Sequence, residues 1–99
     1  MLNITKNADG KALTVVLEGR LDTTTAPQLE AELKTAVDGV EDLIFDIEKL
    51  QYISSAGLRV LLSAQKVMNK QGSMVVRKAS EEVKEIFEVT GFSDILTIE

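Results

Sequence analysis

Apolar residues change their spacing several times along this chain, and each change marks an element. Near the start, Leu2 and Ile4, with Lys6 continuing the same side, alternate with other residues, which predicts a strand running to Ala8. Asp9-Gly10 is a strong turn dipeptide. The β-branched and apolar run Leu13-Thr14-Val15-Val16-Leu17-Glu18 then predicts a second strand from Ala12 to Gly19, and two such runs around Asp-Gly predict a β-hairpin. Gly19 to Thr25 breaks the pattern. Thr25 followed by Gln28 fits a capping box, with Pro27 acceptable only in a first helical turn. Ala26, Leu29, Leu33, Ala36, Val37 and Val40 recur at helical spacing while Glu30, Glu32 and Lys34 stay outside, and Gly39 marks the helix end.

The next run, Leu43-Ile44-Phe45-Asp46-Ile47, is short and apolar without alternation, the signature of a central strand covered by helices. A short loop is expected after it. From Ala56, the residues Leu58, Leu61, Leu62, Ala64, Gln65, Val67 and Met68 form a broad stripe that predicts a helix to about Lys70, closed by Gln71-Gly72. Met74 to Arg77 is another strand. Ser80 is a good N-cap for a helix over Glu81–Thr90, with acidic residues in its first turn and Gly91 at its end. Ile95 to Ile98 reads as a last short strand. The resulting order, β-β-α-β-α-β-α-β, places the chain in the α/β class with crossover connections and one antiparallel hairpin. No internal repeat, low-complexity segment or linker interrupts it, so residues 1–99 read as a single domain.

Composition narrows the function more than the fold. A net charge of −5 argues against nonspecific nucleic-acid binding, which needs basic surface to replace counterions, and against docking on anionic lipid by charge. The chain has no cysteine and no histidine, which removes thiol chemistry, disulfides, His-ligated metals and Ser-His or Cys-His catalytic pairs. No basic region followed by an apolar run opens the sequence, and no apolar stretch approaches the roughly 20 residues of a membrane span, so a cytoplasmic location without membrane insertion is expected. The glycines at 10, 19, 39, 57, 72 and 91 are too scattered for a nucleotide-binding loop, and no cofactor is implied.

Two acidic residues, Asp22 and Asp46, stand at predicted strand ends, where α/β folds place their sites. Each also has a plain explanation: Asp22 as a cap of the turn before the helix, Asp46 as the end of its strand. A phosphoaspartate receiver built on Asp46 would need a second acidic cluster after the first strand, and Asn7-Ala8-Asp9-Gly10 is a hairpin turn instead. The stretch Ser54-Ser55-Ala56-Gly57 opens a helix. Unpaired N–H groups and the helix dipole favour negative charge there, so a phosphate can be carried without unfolding the protein. One serine also suits a simple N-cap. Gly57 in the first turn costs up to about 1 kcal/mol relative to Ala and is useful where another backbone or a phosphate must come close.

Leu17-Glu18-Gly19-Arg20-Leu21-Asp22 before a Thr-rich helix start, then Phe45-Asp46, then Tyr52-Ile53-Ser54-Ser55-Ala56-Gly57-Leu58, resembles the STAS domain of bacterial anti-sigma factor antagonists over nearly the whole chain. The resemblance implies a mixed sheet of four or five strands with helices mainly on one face. Aligned on the family motif, the phosphorylated serine falls on Ser55 and the glycine on Gly57. The motif's second Asp is Ser54 here, its Ser/Thr before glycine is Ala56, and its early Ser is Glu48; Ser54 is therefore a second candidate acceptor.

What the resemblance implies is a non-enzymatic partner-switching cycle. The unphosphorylated protein would bind an anti-sigma factor serine kinase and free a sigma factor. Phosphorylation at Ser55 would abolish binding, and a PP2C-type phosphatase would reverse it. Asp22, Thr23, Thr24, Ser54, Ala56, Gly57 and Arg59 would form the docking face. STAS-like domains also serve as non-enzymatic subunits of transporters, lipid-transport complexes and stress-sensing assemblies, which is the alternative. An enzyme or small-ligand binder would require a deep polar pocket near Asp22 and Asp46.

Overall fold

A computed structural model describes residues 2–99. Its sheet has four strands in the order β1-β2-β3-β4. They are β1 (Leu2–Asp9), β2 (Ala12–Leu21), β3 (Asp42–Ile53) and β4 (Ser73–Arg77). The hairpin β1-β2 is antiparallel, and β2-β3 and β3-β4 are parallel. Three helices connect or follow them: α1 (Ala26–Ala36), α2 (Ser55–Gln71) and α3 (Glu81–Thr90). The element at the C-terminal end is reduced. A 3-10 turn at Phe92–Asp94 leads to a single parallel bridge between Ile98 and Val76, where a last short strand was expected over Ile95 to Ile98. Two backbone hydrogen bonds hold it, Val76 N–H to Thr97 O and Glu99 N–H to Val76 O, both 2.8 Å.

One face of the sheet carries the core. Along β2, Leu13, Val15, Leu17 and Leu21 are buried, while Ala12, Thr14 and Val16, which alternate with the first three, are half-buried. Buried residues of all three helices, among them Leu29, Leu33, Leu61, Met68, Val83 and Phe87, join the same cluster. The period of two is the strand signature of a sheet with one covered face and one open face.

The strand read as Leu43–Ile47 is much longer in the structure. No loop intervenes, and β3 continues to Ile53. Two bulges explain why the continuation was hidden. As β2 advances from Val16 to Glu18, β3 advances from Asp46 to Lys49; as β2 advances from Gly19 to Arg20, β3 advances from Leu50 to Tyr52. Each step inserts one extra residue into β3, so its buried positions run Leu43, Phe45, Ile47 and then Leu50, Ile53. Asp46 is therefore mid-strand, paired with Val16 and Arg77, and does not end its strand as the sequence suggests. Its Oδ1 accepts the Glu48 N–H at 3.2 Å, beside the first bulge, and its Oδ2 lies 3.6 Å from Lys78 Nζ.

The start of α1 also differs from expectation. Thr25 stands at the N-cap position, but its side chain caps nothing in the helix, and Gln28 does not reach back to it. The Thr25 hydroxyl points the other way, donating to Arg20 O at 2.9 Å and accepting the Asp22 N–H at 2.8 Å. The helix is also shorter than its apolar spacing, ending at Ala36 with Val37 as its C-cap. The other two helices start as their sequences predict. Ser80 Oγ accepts from Val83 N–H at the start of α3, and Gly91 closes that helix in the left-handed region at φ +82°.

Candidate functional site

The C-terminal ends of β2 and β3 lie side by side, and each leads directly into a helix. Leu21 pairs with Ile53 in the last rung of that ladder, and the Ser54 N–H donates to Leu21 O at 2.9 Å. The two bulges matter here. Each adds a residue to β3, and at the end of the strand Ser54 lies beside the turn that starts at Asp22.

That turn is organised by one carboxylate. Asp22 Oδ1 accepts from Thr24 Oγ1 at 2.7 Å, Thr24 N–H at 3.0 Å and Thr25 N–H at 3.2 Å. The Asp22 main-chain oxygen takes the Ala26 N–H at 2.8 Å. Hydrogen bonds to an ionised carboxylate favour the charged form. The Thr24 hydroxyl leads in holding Asp22 below the ordinary aspartate range; partial desolvation opposes it, and the bonds from Thr25 and the Thr24 main chain assist. The capping role foreseen for Asp22 is thus the one the structure displays, while Thr23 and Thr24 stand exposed on the rim.

The two serines have different surroundings. Ser54 is extended at φ −95° and ψ 174°, half-buried, and its Oγ accepts the Gly57 N–H at 3.3 Å. Such an N-cap contributes about 1 kcal/mol. Ser55 is the first residue of α2 and is exposed, and among the described residues its hydroxyl makes no hydrogen bond. Arg59, also exposed, follows it by four positions, so the two share one helix face. Ala56 is half-buried against the core. Gly57 is buried for a packing reason: a Cβ there would stand 2.6 Å from Leu21 Cγ and 3.0 Å from Ile53 Cγ1. Its lack of a side chain lets α2 seat on the ends of β2 and β3, and the neighbour it accommodates is a side chain, where the sequence suggested backbone or phosphate.

Asp22, Thr23, Thr24 and the Ser54–Gly57 turn are therefore brought to one end of the sheet. Asp46 is not: its partner Val16 lies five residues before Leu21, roughly 17 Å along the strand. A groove of about 760 Å³ runs between α1 and α2, lined by Leu33, Val37, Val60, Ala64 and Val67 among others, and neither aspartate lines it. Among the described residues no cluster of carboxylates fit to hold a metal ion is present, and no helix is long and apolar enough to cross a membrane.

A family model for the STAS domain matches residues 3–99. The chain belongs to the STAS domain family. A Bordetella bronchiseptica protein, BtrV, named as an anti-sigma factor antagonist, is 42% identical over 88 residues, covering 87% of this chain and 76% of its own length. Among solved structures, an anti-sigma factor antagonist from Mycobacterium paratuberculosis superposes with a TM-score of 0.90 at 20% identity, over 99% of this STAS domain and 85% of that chain. The Bacillus cell fate determinant SpoIIAA in its phosphorylated form superposes with a TM-score of 0.75 at 19% identity, over 100% and 91% of the two chains. At such identities the superpositions establish a shared fold, which is the mixed four-stranded α/β sheet with three helices described above.

One pairing at this end escaped the sequence reading. Arg20 and Tyr52 face each other across β2 and β3, with the guanidinium carbon 4.6 Å from the ring centroid. The pairing was invisible because the second bulge sets which β3 residue meets Arg20.

Proposed function

We propose that this STAS domain acts as an anti-sigma factor antagonist, a non-enzymatic single-domain switch in the cytoplasm whose phosphoacceptor is Ser55. One observation carries the choice of residue: Ser54 is engaged as the cap of α2, whereas Ser55 presents a free hydroxyl at the first helical position. The name borne by BtrV supports the role, and the existence of a phosphorylated SpoIIAA with this fold supports the modification.

In this reading the unphosphorylated chain binds an anti-sigma factor serine kinase through Asp22, Thr23, Thr24 and the Ser54–Arg59 turn, and the sigma factor is released. The kinase transfers phosphate to Ser55, and a PP2C-type phosphatase removes it. A phosphate brings about −1.5 to −2 charges and three acceptor oxygens. On the helix N-terminus it is tolerated by the fold, while against a partner fitted to a neutral hydroxyl it adds bulk and a desolvation cost.

The test is phosphorylation with purified anti-sigma factor kinase and ATP, followed by mass-spectrometric site mapping. Ser54→Ala is expected to remain a substrate and Ser55→Ala to lose labelling, with Ser55→Asp failing to bind the kinase. Labelling at Ser54, or full binding by Ser55→Asp, would overturn the assignment.

A further inference from the structure

Arg20 is a cation held in place on an acidic chain with its hydrogen-bonding capacity unspent. Its main-chain oxygen is fastened by the Thr25 hydroxyl at 2.9 Å, and its guanidinium lies over the Tyr52 ring at 4.6 Å. Its Nε is 3.8 Å from Asp22 Oδ2, which is ion-pair range but too long for a hydrogen bond. Among the described residues the guanidinium donates no hydrogen bond, although it carries five N–H donors in a planar fork. The Arg20 side chain is 53% exposed and Tyr52 37%.

The strand alternation places this pair on the open face. Leu21 and Ile53 point into the core, so Arg20 and Tyr52, one residue earlier in each strand, face the side without helices. The pair adjoins the Asp22 turn through the Arg20–Asp22 ion pair, and Tyr52 precedes Ser54 by two residues.

We propose that Arg20 and Tyr52 form a preassembled recognition element that extends the docking face onto the open side of the sheet and receives a carboxylate of the anti-sigma factor. The inference rests on the antagonist reading above. Complementarity selects the occupant. An unspent fork of donors matches a carboxylate in bidentate geometry, and a half-exposed tyrosine beneath it offers rigid amphipathic area. Contact with the Tyr52 ring restrains the guanidinium before the partner arrives, which lowers the ordering cost of binding.

The experiment is calorimetric titration of the purified anti-sigma factor kinase with wild-type protein and with Arg20→Ala, Arg20→Lys, Tyr52→Leu, the Arg20→Ala/Tyr52→Leu double variant and Ser55→Asp. All positions are at the surface, and circular dichroism checks that each variant folds. Arg20→Ala is expected to weaken binding tenfold or more. Arg20→Lys should fail to restore it, because a point charge neither stacks as a plane nor offers the fork. The double variant should lose less than the product of the two single losses, since the residues act as one unit. Affinities of Arg20→Ala and Tyr52→Leu within twofold of wild type, alongside loss of binding by Ser55→Asp, would overturn this inference and leave the switch intact. A wild-type protein that does not bind the kinase would overturn both.

Discussion

Asp22 shows how one side chain can set the geometry of a whole surface. Its carboxylate gathers donors from Thr24 and Thr25, and its position between the end of β2 and the start of α1 gives those bonds a direction. Because the folded state holds the Asp22 pKa below the ordinary aspartate range, with the Thr24 hydroxyl as the leading cause, the ionised form contributes to stability. The sign follows from linkage. The contribution is full above the unfolded value near pH 4 and is lost as the pH falls through the depressed native value. Asp22→Asn keeps an acceptor oxygen but removes the charge, so we expect it to be destabilised relative to wild type at pH 7 and to converge toward wild type in acid. Urea midpoints for both proteins between neutral pH and about pH 2.5 read this directly; a constant difference across the range would show that ionisation of Asp22 plays no part.

At the scale of elements, strand β2, the opening of α2 and the cap of α3 were legible in the sequence because each rests on local rules. Leu13 to Glu18 is a β-branched and apolar run after a turn dipeptide, Ser54-Ser55 opens a helix with the structure choosing Ser54 as its cap, and Ser80 precedes its helix as a capping serine does. The far half of β3 was not legible. Ile47, Leu50 and Ile53 are spaced by three, and only the ladder with β2 reveals that two bulges keep them on one face. The cap of α1 was misread for a related reason: Thr25 has a free choice of partners in sequence, and Arg20 O and Asp22 N–H become available only once β2 ends beside them. Gly57 belongs to the same class, since the atoms that demand a glycine are on Leu21, far away in sequence. A substitution there sets two effects against each other. Gly57→Ala gains up to about 1 kcal/mol of helix propensity. It also forces a methyl into a space 2.6 Å from Leu21 Cγ, and overpacking of this kind costs roughly 1–3 kcal/mol. We expect net destabilisation, visible as a lower denaturation midpoint. Shortening the obstructing side chain should relieve the clash, so Leu21→Ala/Gly57→Ala should lose less than the sum of the two single variants. Additive losses would mean that Leu21 and Gly57 do not oppose each other.

For the whole molecule, the question raised by the proposed switch is what a phosphate on Ser55 would change. Among the described residues the Ser55 hydroxyl makes no hydrogen bond, and Ser55 is exposed and outside the core cluster. A phosphate there meets the positive end of α2 and lies within one turn of Arg59, interactions worth about 0.3–1 kcal/mol each at most in water. Against these stands the charge of a chain already at −5, and Asp22 stands on the adjacent turn. The opposing terms are of similar size, so the unfolding free energy of the modified protein should lie within about 1 kcal/mol of the unmodified one. Its amide chemical-shift changes should be confined to the ends of β2 and β3, the Asp22 turn and the first two turns of α2. Both expectations are checked on the same phosphorylated sample by denaturant titration and two-dimensional NMR. Shift changes spreading through β4 and α3 would mean that phosphate acts by rearranging the fold. Confinement to the site, together with loss of kinase binding, would place the whole regulatory effect at the docking surface, where a neutral hydroxyl has been replaced by charge and bulk.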